Sequence, residues 1–381
     1  MQDIHVDEYG IRIMLPKAIT HLVRINSISN ITANILKQEM LSLGGDVAVA
    51  RGALTGKSKL TDCLLMGSLA QFNRLNAKLK QQPFGLDKLS RQLSDTLSNY
   101  QKNSFIFNLG GFRLNLGRCT HIMGIVNITP DSFSQDGLYN RSVAEIVEWA
   151  QQLVDDGADI IDVGGESTRP GSRTVPVREE LRRTIPVIKS LAKKIKVPIS
   201  IDTRKPEVAR QALDNGAVMV NDITGLRNKK MAKLISKYKA GAVIMHMQGV
   251  PRTMQINPGY ESLIDDIIAY LDTSIKQALA AGVDEDKIII DPGIGFGKTL
   301  EHNLEILRKL GEFRILGRPI LVGPSRKSFL GKILKAQPQK RLFGTVSACI
   351  LAVKNGANLL RVHDVKAVKE ALKVFDAIDK I

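Results

Sequence analysis

Short apolar runs recur along residues 119–381, and each ends in a polar residue followed by glycine, proline or a polar loop. The first, Ile122 to Val126, turns polar at Asn127 and breaks at Pro130. A run this short, bounded by such breakers, predicts a strand of a buried parallel sheet. Further runs predict strands at Asp159–Val163, Ile199–Ile201, Met219–Val220, Ala242–Met245, Ile288–Ile290, Ile320–Val322 and Asn358–Arg361. Amphipathic helical patterns lie near 142–155, 178–194, 206–214, 229–239, 261–280, 301–309, 341–354 and 365–380. Alternating short strands and helices imply a parallel sheet, and eight units over about 260 residues have the size of a (β/α)8 TIM barrel. An open doubly wound sheet is the alternative, ranked lower because no GxGxxG follows the first strand.

The pattern before this region is different. Strands are expected at Ile11–Leu15, Ile19–Ile25, Asp46–Ala50 and Cys63–Met66. Helices are expected at Thr32–Leu43, stopped by Gly44-Gly45, from Ser68 through Lys80, and at Leu86–Leu97. Residues 1–103 thus form a small α/β domain ahead of a barrel domain at 104–381. The stretch GALTGKSK at 52–59 lacks the spacing of a nucleotide P-loop, so turns in a packing or interaction module describe it better. No catalytic constellation lies in this domain, and no activity is assigned to it. Residues 104–118 read as a hairpin around Gly110-Gly111, placed to close the barrel's bottom.

Composition changes this picture little. With 44% hydrophobic and 24% charged residues the chain is an ordinary globular protein. No apolar run approaches a membrane span, and MQDIHVDEYG does not resemble a secretory signal, so a cytoplasmic location without membrane partners is expected. Cys63, Cys119 and Cys349 match no metal or redox spacing and read as isolated buried thiols. The net charge of +16 is spread out, with a surplus of 6 over residues 1–117 and 10 over residues 118–381. No run of like charges suggests a nucleic-acid arm, so no specific nucleic acid is expected. A diffuse basic field suits a polyanionic small substrate, and a solvated basic surface is the alternative.

The strand ends carry the candidate chemistry. They read Asn127; GGESTRPGS, with Glu166, Thr168 and Arg169; Asp202; Asn221-Asp222; MHMQG at 245–249; DPGIGFGK at 291–298; GPSRKSFLG at 323–331; and RVHD at 361–364. In a barrel all of these converge on one mouth. Asn127 taken alone reads more readily as a turn residue than as a site residue. Asp202, Asn221 and Asp291 offer acceptors and an amide that suit a flat heterocycle with N–H donors. Asn127, Arg169, Lys327, Arg361 and His363 form a donor-rich set that suits phosphate or diphosphate. The Asn127 oxygen is a ligand type that Mg²⁺ prefers when shared with phosphate and water.

Together the motifs resemble the dihydropteroate synthases, pterin-binding (β/α)8 enzymes. The resemblance rests on NITPDSFS at 127–134, ESTRPG at 166–171, SIDTRKP at 200–206, NDITG at 221–225, MHMQGVPRTMQ at 245–255, DPGIGFGKT at 291–299, GPSRKSFLG at 323–331 and RVHDV at 361–365. It covers roughly residues 105–381, in family order. It implies pterin binding by Asp202, Asn221, Met245, Asp291 and Lys327. Diphosphate would be bound by Asn127, Thr168, Arg169, Arg361 and His363, with Mg²⁺ at Asn127. The 4-aminobenzoate would sit against Phe133, Pro170, Phe296, Lys327 and Ser328. Asp202, Asp291, Lys327, Arg361 and His363 would carry catalysis. The implied reaction joins 4-aminobenzoate to 6-hydroxymethyl-7,8-dihydropterin diphosphate, releasing diphosphate and forming 7,8-dihydropteroate in folate synthesis. A homodimer is also implied.

One departure is PDSFSQDGL at 130–138, where the family is expected to read PDSFSDGG; Asp136 would then be the acid that meets Arg169. His246, His121 and His302 are expected to be packed or structural. GIGFGK at 293–298 is expected to line the site without binding a nucleotide. Two rival readings are a pterin-dependent methyltransferase serving a corrinoid partner, which would not need the SRKSFLG lysine, and a noncatalytic binding protein.

Overall fold

The computed structural model describes residues 1–379 except 56, 57, 118, 131–137, 168, 170 and 173. The chain forms two compact units, Met1–Ser98 and Asn99–Ile381.

The first unit is built on strands β1 (Thr20–Ser29), β2 (Asp46–Val49) and β3 (Leu60–Ser68), in the antiparallel order β1-β3-β2. Helices Asn30–Ser42, Leu69–Leu79 and Leu86–Gln101 supply Leu36, Met40, Phe72, Leu75, Leu79, Leu93 and Leu97 to a core shared with Val47, Cys63 and Leu65. Ser68 and Gln71 form a capping box that starts the second of these helices. The strand expected at Ile11–Leu15 is instead part of the helix Glu8–Met14. Asp7 caps it, accepting from the Tyr9 amide at 2.7 Å, and with no neighbouring strand to bury it the apolar run follows the cap.

The second unit opens with the hairpin β4 (Phe105–Leu109) and β5 (Phe112–Leu116), turning at Gly110-Gly111. Eight parallel strands follow: β6 (His121–Asn127), β7 (Ile160–Gly164), β8 (Ile199–Asp202), β9 (Met219–Asp222), β10 (Gly241–Met245), β11 (Ile288–Asp291), β12 (Leu321–Val322) and β13 (Leu359–Val362). They pair in the order β11-β10-β9-β8-β7-β6-β13-β12. The bridge Ile290↔Ile320 joins the two ends, with the Ile290 amide donating to Pro319 at 3.0 Å. The sheet therefore closes, as the eight alternations predicted, and the open-sheet alternative falls. Helix Ser328–Leu334, inside the GPSRKSFLG motif, is an element the pattern did not announce.

Alternation along each strand sorts the side chains into two layers. Outward residues such as Ile122, Ile161, Ile201, Val220, Ile244 and Ile290 pack under the surrounding helices. Inward residues at the strand starts, Met123, Ile160, Met219, Val243, Ile289, Leu321 and Leu359, pack on Phe107, Leu109 and Leu116 of the hairpin. The hairpin thus plugs one end with apolar side chains, and only the other end is left for polar chemistry. Gly124, facing outward, leaves room for Leu153 and Ala158; a Cβ there would lie 3.2 Å from Ala158. Cys63 and Cys349 are buried, whereas Cys119 is exposed, because it precedes β6 outside the packed strands. Among the described residues, no helix is long and apolar enough to cross a membrane.

Candidate active site

The strand register puts the polar residues on the last rungs of the barrel. Asp202 on β8 stands level with Gly164 on β7 and with Asn221 on β9. Met245 on β10 stands level with Asp291 on β11. Asp202, Asn221 and Asp291 are all buried. They form a floor of acceptors above the apolar plug.

Arg361 ties this floor together. Its Nε donates to Oδ2 of Asp162 at 2.6 Å and its Nη2 to Oδ2 of Asp202 at 2.8 Å. Asn221 Nδ2 donates to the same Asp162 oxygen at 3.1 Å. The arginine expected to serve diphosphate is therefore fixed from behind by two carboxylates, with Nη1 left for a ligand. Asp162 was not among the expected site residues. Its signal was present: a lone carboxylate inside the apolar run IIDVG, at an inward position. Burial holds the Asp202 carboxyl well above the usual carboxylate range, and Arg361 opposes that shift.

A second group lies across β11 and the loop after β12. Burial pushes the Asp291 carboxyl up to about 6, against the hydrogen bond from the Gly293 amide at 2.7 Å. Lys327 donates to the Ile294 carbonyl at 2.9 Å, and its ammonium sits 4.0 Å from the centre of the Phe296 ring. Burial lowers this lysine to about 7, while Asp291 pulls the other way. The loop 293–298 is held by a buried pair below it: Lys298 Nζ lies 2.9 Å from His246 Nδ1 and donates to the Phe296 carbonyl at 3.0 Å. His246 packs edge-on against Tyr270 at 4.9 Å, a packed residue as expected. His302 completes a capping box with Thr299, and His121 Nδ1 lies 3.1 Å from the Cys119 carbonyl. Met245 is buried with Ile223, Met247 and Met254, and Phe296 packs against that cluster.

His363 is set by Ser325. The His363 amide donates to Ser325 Oγ at 3.2 Å, and the same Oγ lies 3.1 Å from Nδ1. The hydroxyl accepts from the amide and can give its own proton to Nδ1; in that arrangement the ring proton sits on Nε2. Nε2 is buried and has no partner among the described residues. Burial holds the imidazole well below its usual range, so it is a neutral donor.

A cavity of about 300 Å³ is lined by Asn127, Glu166, Arg169, Asp202, Phe296, Lys327, Ser328, Arg361 and His363 among others, whereas Asn221, Met245 and Asp291 are buried and not part of its lining. Donors and aromatic carbon surround the opening, with Asp202 at its base. Thr168, Phe133, Pro170 and Asp136 lie outside the described residues. Gly164 lets Asn127 and Asp202 approach the strand closely: a Cβ there would lie 3.3 Å from Asn127 Oδ1 and 3.8 Å from Asp202 Oδ2. Asp202 Oδ2 already accepts from Arg361, so Asn127 Oδ1 is the oxygen that suits a hard cation bringing its other ligands with it. Among the described residues no group of three or more His, Cys, Asp or Glu side chains could hold a metal without such help.

Comparison with known proteins agrees with this geometry. Residues 123–363 match the pterin binding enzyme family. A dihydropteroate synthase of Synechocystis sp. is 48% identical over 264 residues, covering 69% of this chain and 91% of that protein. A probable bifunctional folylpolyglutamate synthase/dihydropteroate synthase of Halobacterium salinarum is 38% identical over 377 residues, 99% of this chain and 45% of that protein. Its match therefore includes the first unit. The structure of Xanthomonas albilineans dihydropteroate synthase with 4-aminobenzoic acid superposes with a TM-score of 0.68 at 42% identity, covering 73% of this chain and 99% of that one.

Proposed function

We infer the reaction from one premise: this chain belongs to the pterin binding enzyme family and, within it, to the dihydropteroate synthases. It condenses 6-hydroxymethyl-7,8-dihydropterin diphosphate with 4-aminobenzoate, releasing diphosphate and forming 7,8-dihydropteroate for folate synthesis. The observation that carries this reading is Arg361, bound on one side by Asp162 and Asp202 and bordering the cavity on the other.

The pterin ring lies on the floor. Its N–H and amino groups donate to Asp202, Asp291 and the Asn221 oxygen, Met245 lies beneath it, and Lys327 closes one edge. Asn221 has already given an N–H to Asp162, which leaves its oxygen for the ring. The diphosphate takes Arg361 Nη1, His363 Nε2–H, Arg169, Thr168 and Asn127. Asn127 and the diphosphate oxygens would hold Mg²⁺, which supplies further charge neutralisation to the leaving group. The 4-aminobenzoate packs on the Phe296 ring and Phe133, with Pro170 beside it and its carboxylate near Ser328 and Lys327.

Bond breaking follows from the charge layout. Diphosphate leaves as its charge is met by fixed donors. The methylene carbon is left electron-poor and conjugated with the pterin, and the buried Asp202 and Asp291 carboxylates stabilise positive charge there. The arylamine attacks that carbon and then loses a proton, so no enzyme nucleophile is needed. The same resemblance carries a cytoplasmic homodimer as part of the proposal. Purified protein given both substrates and Mg²⁺ should yield dihydropteroate by mass spectrometry; bound pterin without product would point to the methyltransferase or binding-protein readings.

A further inference from the structure

Next to the cavity lies a buried ionic cluster that the reaction scheme does not use. Lys205 Nζ meets three acceptors: Glu166 Oε2 at 2.9 Å, the Val175 carbonyl at 2.7 Å, and the Glu180 carboxylate in a shorter contact. Three donors thus find three partners. The side chain of Glu180 is 0% exposed, that of Glu166 8% and that of Lys205 15%. Glu180 also accepts from Thr203 Oγ1 at 2.6 Å, and Glu166 accepts from the Val175 amide at 3.1 Å and from Arg204 at 3.2 Å. Two carboxylates face two cations, so the charges balance within the cluster.

The placement is what matters. Glu166 begins the loop after β7 and Val175 ends it, so one ammonium ties both feet of that loop together. Glu180 lies in the helix Val177–Lys194 that follows. Lys205 and Thr203 follow Asp202 on the next strand's exit. The loop between the two feet carries Arg169, which borders the cavity beside His363 and Lys327. There is no slack at the first foot either: a Cβ on Gly165 would lie 2.7 Å from Thr184 and 3.0 Å from Glu180.

We propose that Lys205, clamped between Glu166 and Glu180, is a positioning residue that holds the loop after β7 so that Arg169 meets the diphosphate. This rests on the reading of Arg169 as a diphosphate ligand. A buried ion pair is often no more stabilising than apolar packing, so a device of this kind serves geometry more than stability. Lys205 touches no reacting atom; it acts through the loop.

The test compares wild type, Lys205→Met, Lys205→Arg and Glu180→Gln. Loss of the clamp should raise KM for the pterin diphosphate about tenfold or more, while affinity for the same pterin lacking its diphosphate changes less than about twofold. Lys205→Arg, which can still bridge two carboxylates, should recover part of the loss. Should Lys205→Met fail to fold, Glu180→Gln carries the same comparison, with the same split expected. Equal weakening of both ligands in folded protein, or no change in either, overturns the proposal. Hydrogen exchange across 166–176 is read in parallel and does not depend on turnover. The Val175 amide, which donates to Glu166 at 3.1 Å, should be protected in wild type and exchange faster in the variants; unchanged exchange also overturns the clamp. A wild type that makes no dihydropteroate, yet loses protection in the variants, would sink the reaction reading and leave the clamp standing.

Discussion

Arg361 reaches Asp162 through Nε at 2.6 Å, and both side chains are turned inward from strands that do not neighbour each other. The carboxylate acts from behind: it spends none of its contacts on the cavity and fixes the groups that border it. Replacing Asp162 by Asn keeps the volume and removes the charge. Loss of a charge-assisted buried contact costs about 2–3 kcal/mol, and kcat/KM should fall about thirty- to a hundredfold, with the Tm reporting a smaller change than for a core deletion. Activity within about twofold of wild type would show that Arg361 is held by something else.

With Asp291 as the proposed pterin acceptor, pterin binding should depend on pH. Burial disfavours the anion and pushes the Asp291 carboxyl up to about 6. A ligand that donates N–H groups to it favours the anion and lowers that value. Binding therefore releases a proton between the two values, and affinity rises as pH increases through about 6, then levels off. Titration calorimetry in buffers of different ionisation heat should detect the proton. Asp291→Asn should bind more weakly and flatten the slope near pH 6, leaving what Asp202 and Lys327 contribute near 7; a variant with the wild-type slope would move the whole titration to those two groups.

Ser325 contacts His363 at Nδ1 and at the amide, at 3.1 and 3.2 Å, and by donating to Nδ1 it would keep the ring proton on Nε2. Ser325→Ala leaves the tautomer unselected and should lower kcat/KM about tenfold through KM for the pterin diphosphate. The same substitution should leave binding of the diphosphate-free pterin alone, and a matching loss there would contradict the assignment.

Much of this was readable in advance, for physical reasons. Strands buried on both faces need continuous apolar runs, and runs like Ile288–Ile290 stop where a polar group must face the mouth. Asp202, Asn221 and Asp291 were visible for that reason. Asp162 was hidden because one charge in an apolar run carries no information about which residue will meet it. Lys205 was hidden because its partner Glu180 is brought up by a helix, not by sequence spacing. At Ile11–Leu15 the apolar residues suggested a strand, but the Asp7 cap and the lack of a neighbouring strand decided for helix.

Two substitutions separate scaffold from site. Phe107→Ala empties part of the apolar plug, where Phe107 is fully buried, and should cost about 3–5 kcal/mol of stability while kcat stays near wild type below the lowered Tm. Gly293 has φ +73°, and a Cβ there would lie 1.9 Å from the His246 carbonyl oxygen. Gly293→Ala should therefore lose more than about 2 kcal/mol and also displace Phe296 and Lys298, so activity falls together with Tm. If Phe107→Ala abolished turnover in folded protein, the separation of plug and mouth would be wrong.

The most direct test of the central claim is diphosphate release by the purified protein, supplied with the pterin diphosphate and Mg²⁺, as 4-aminobenzoate is varied. Release that saturates with the amine, matches dihydropteroate formed one for one and collapses in Arg361→Gln is the predicted result. Release that ignores the amine, or that survives the loss of Arg361, would contradict it.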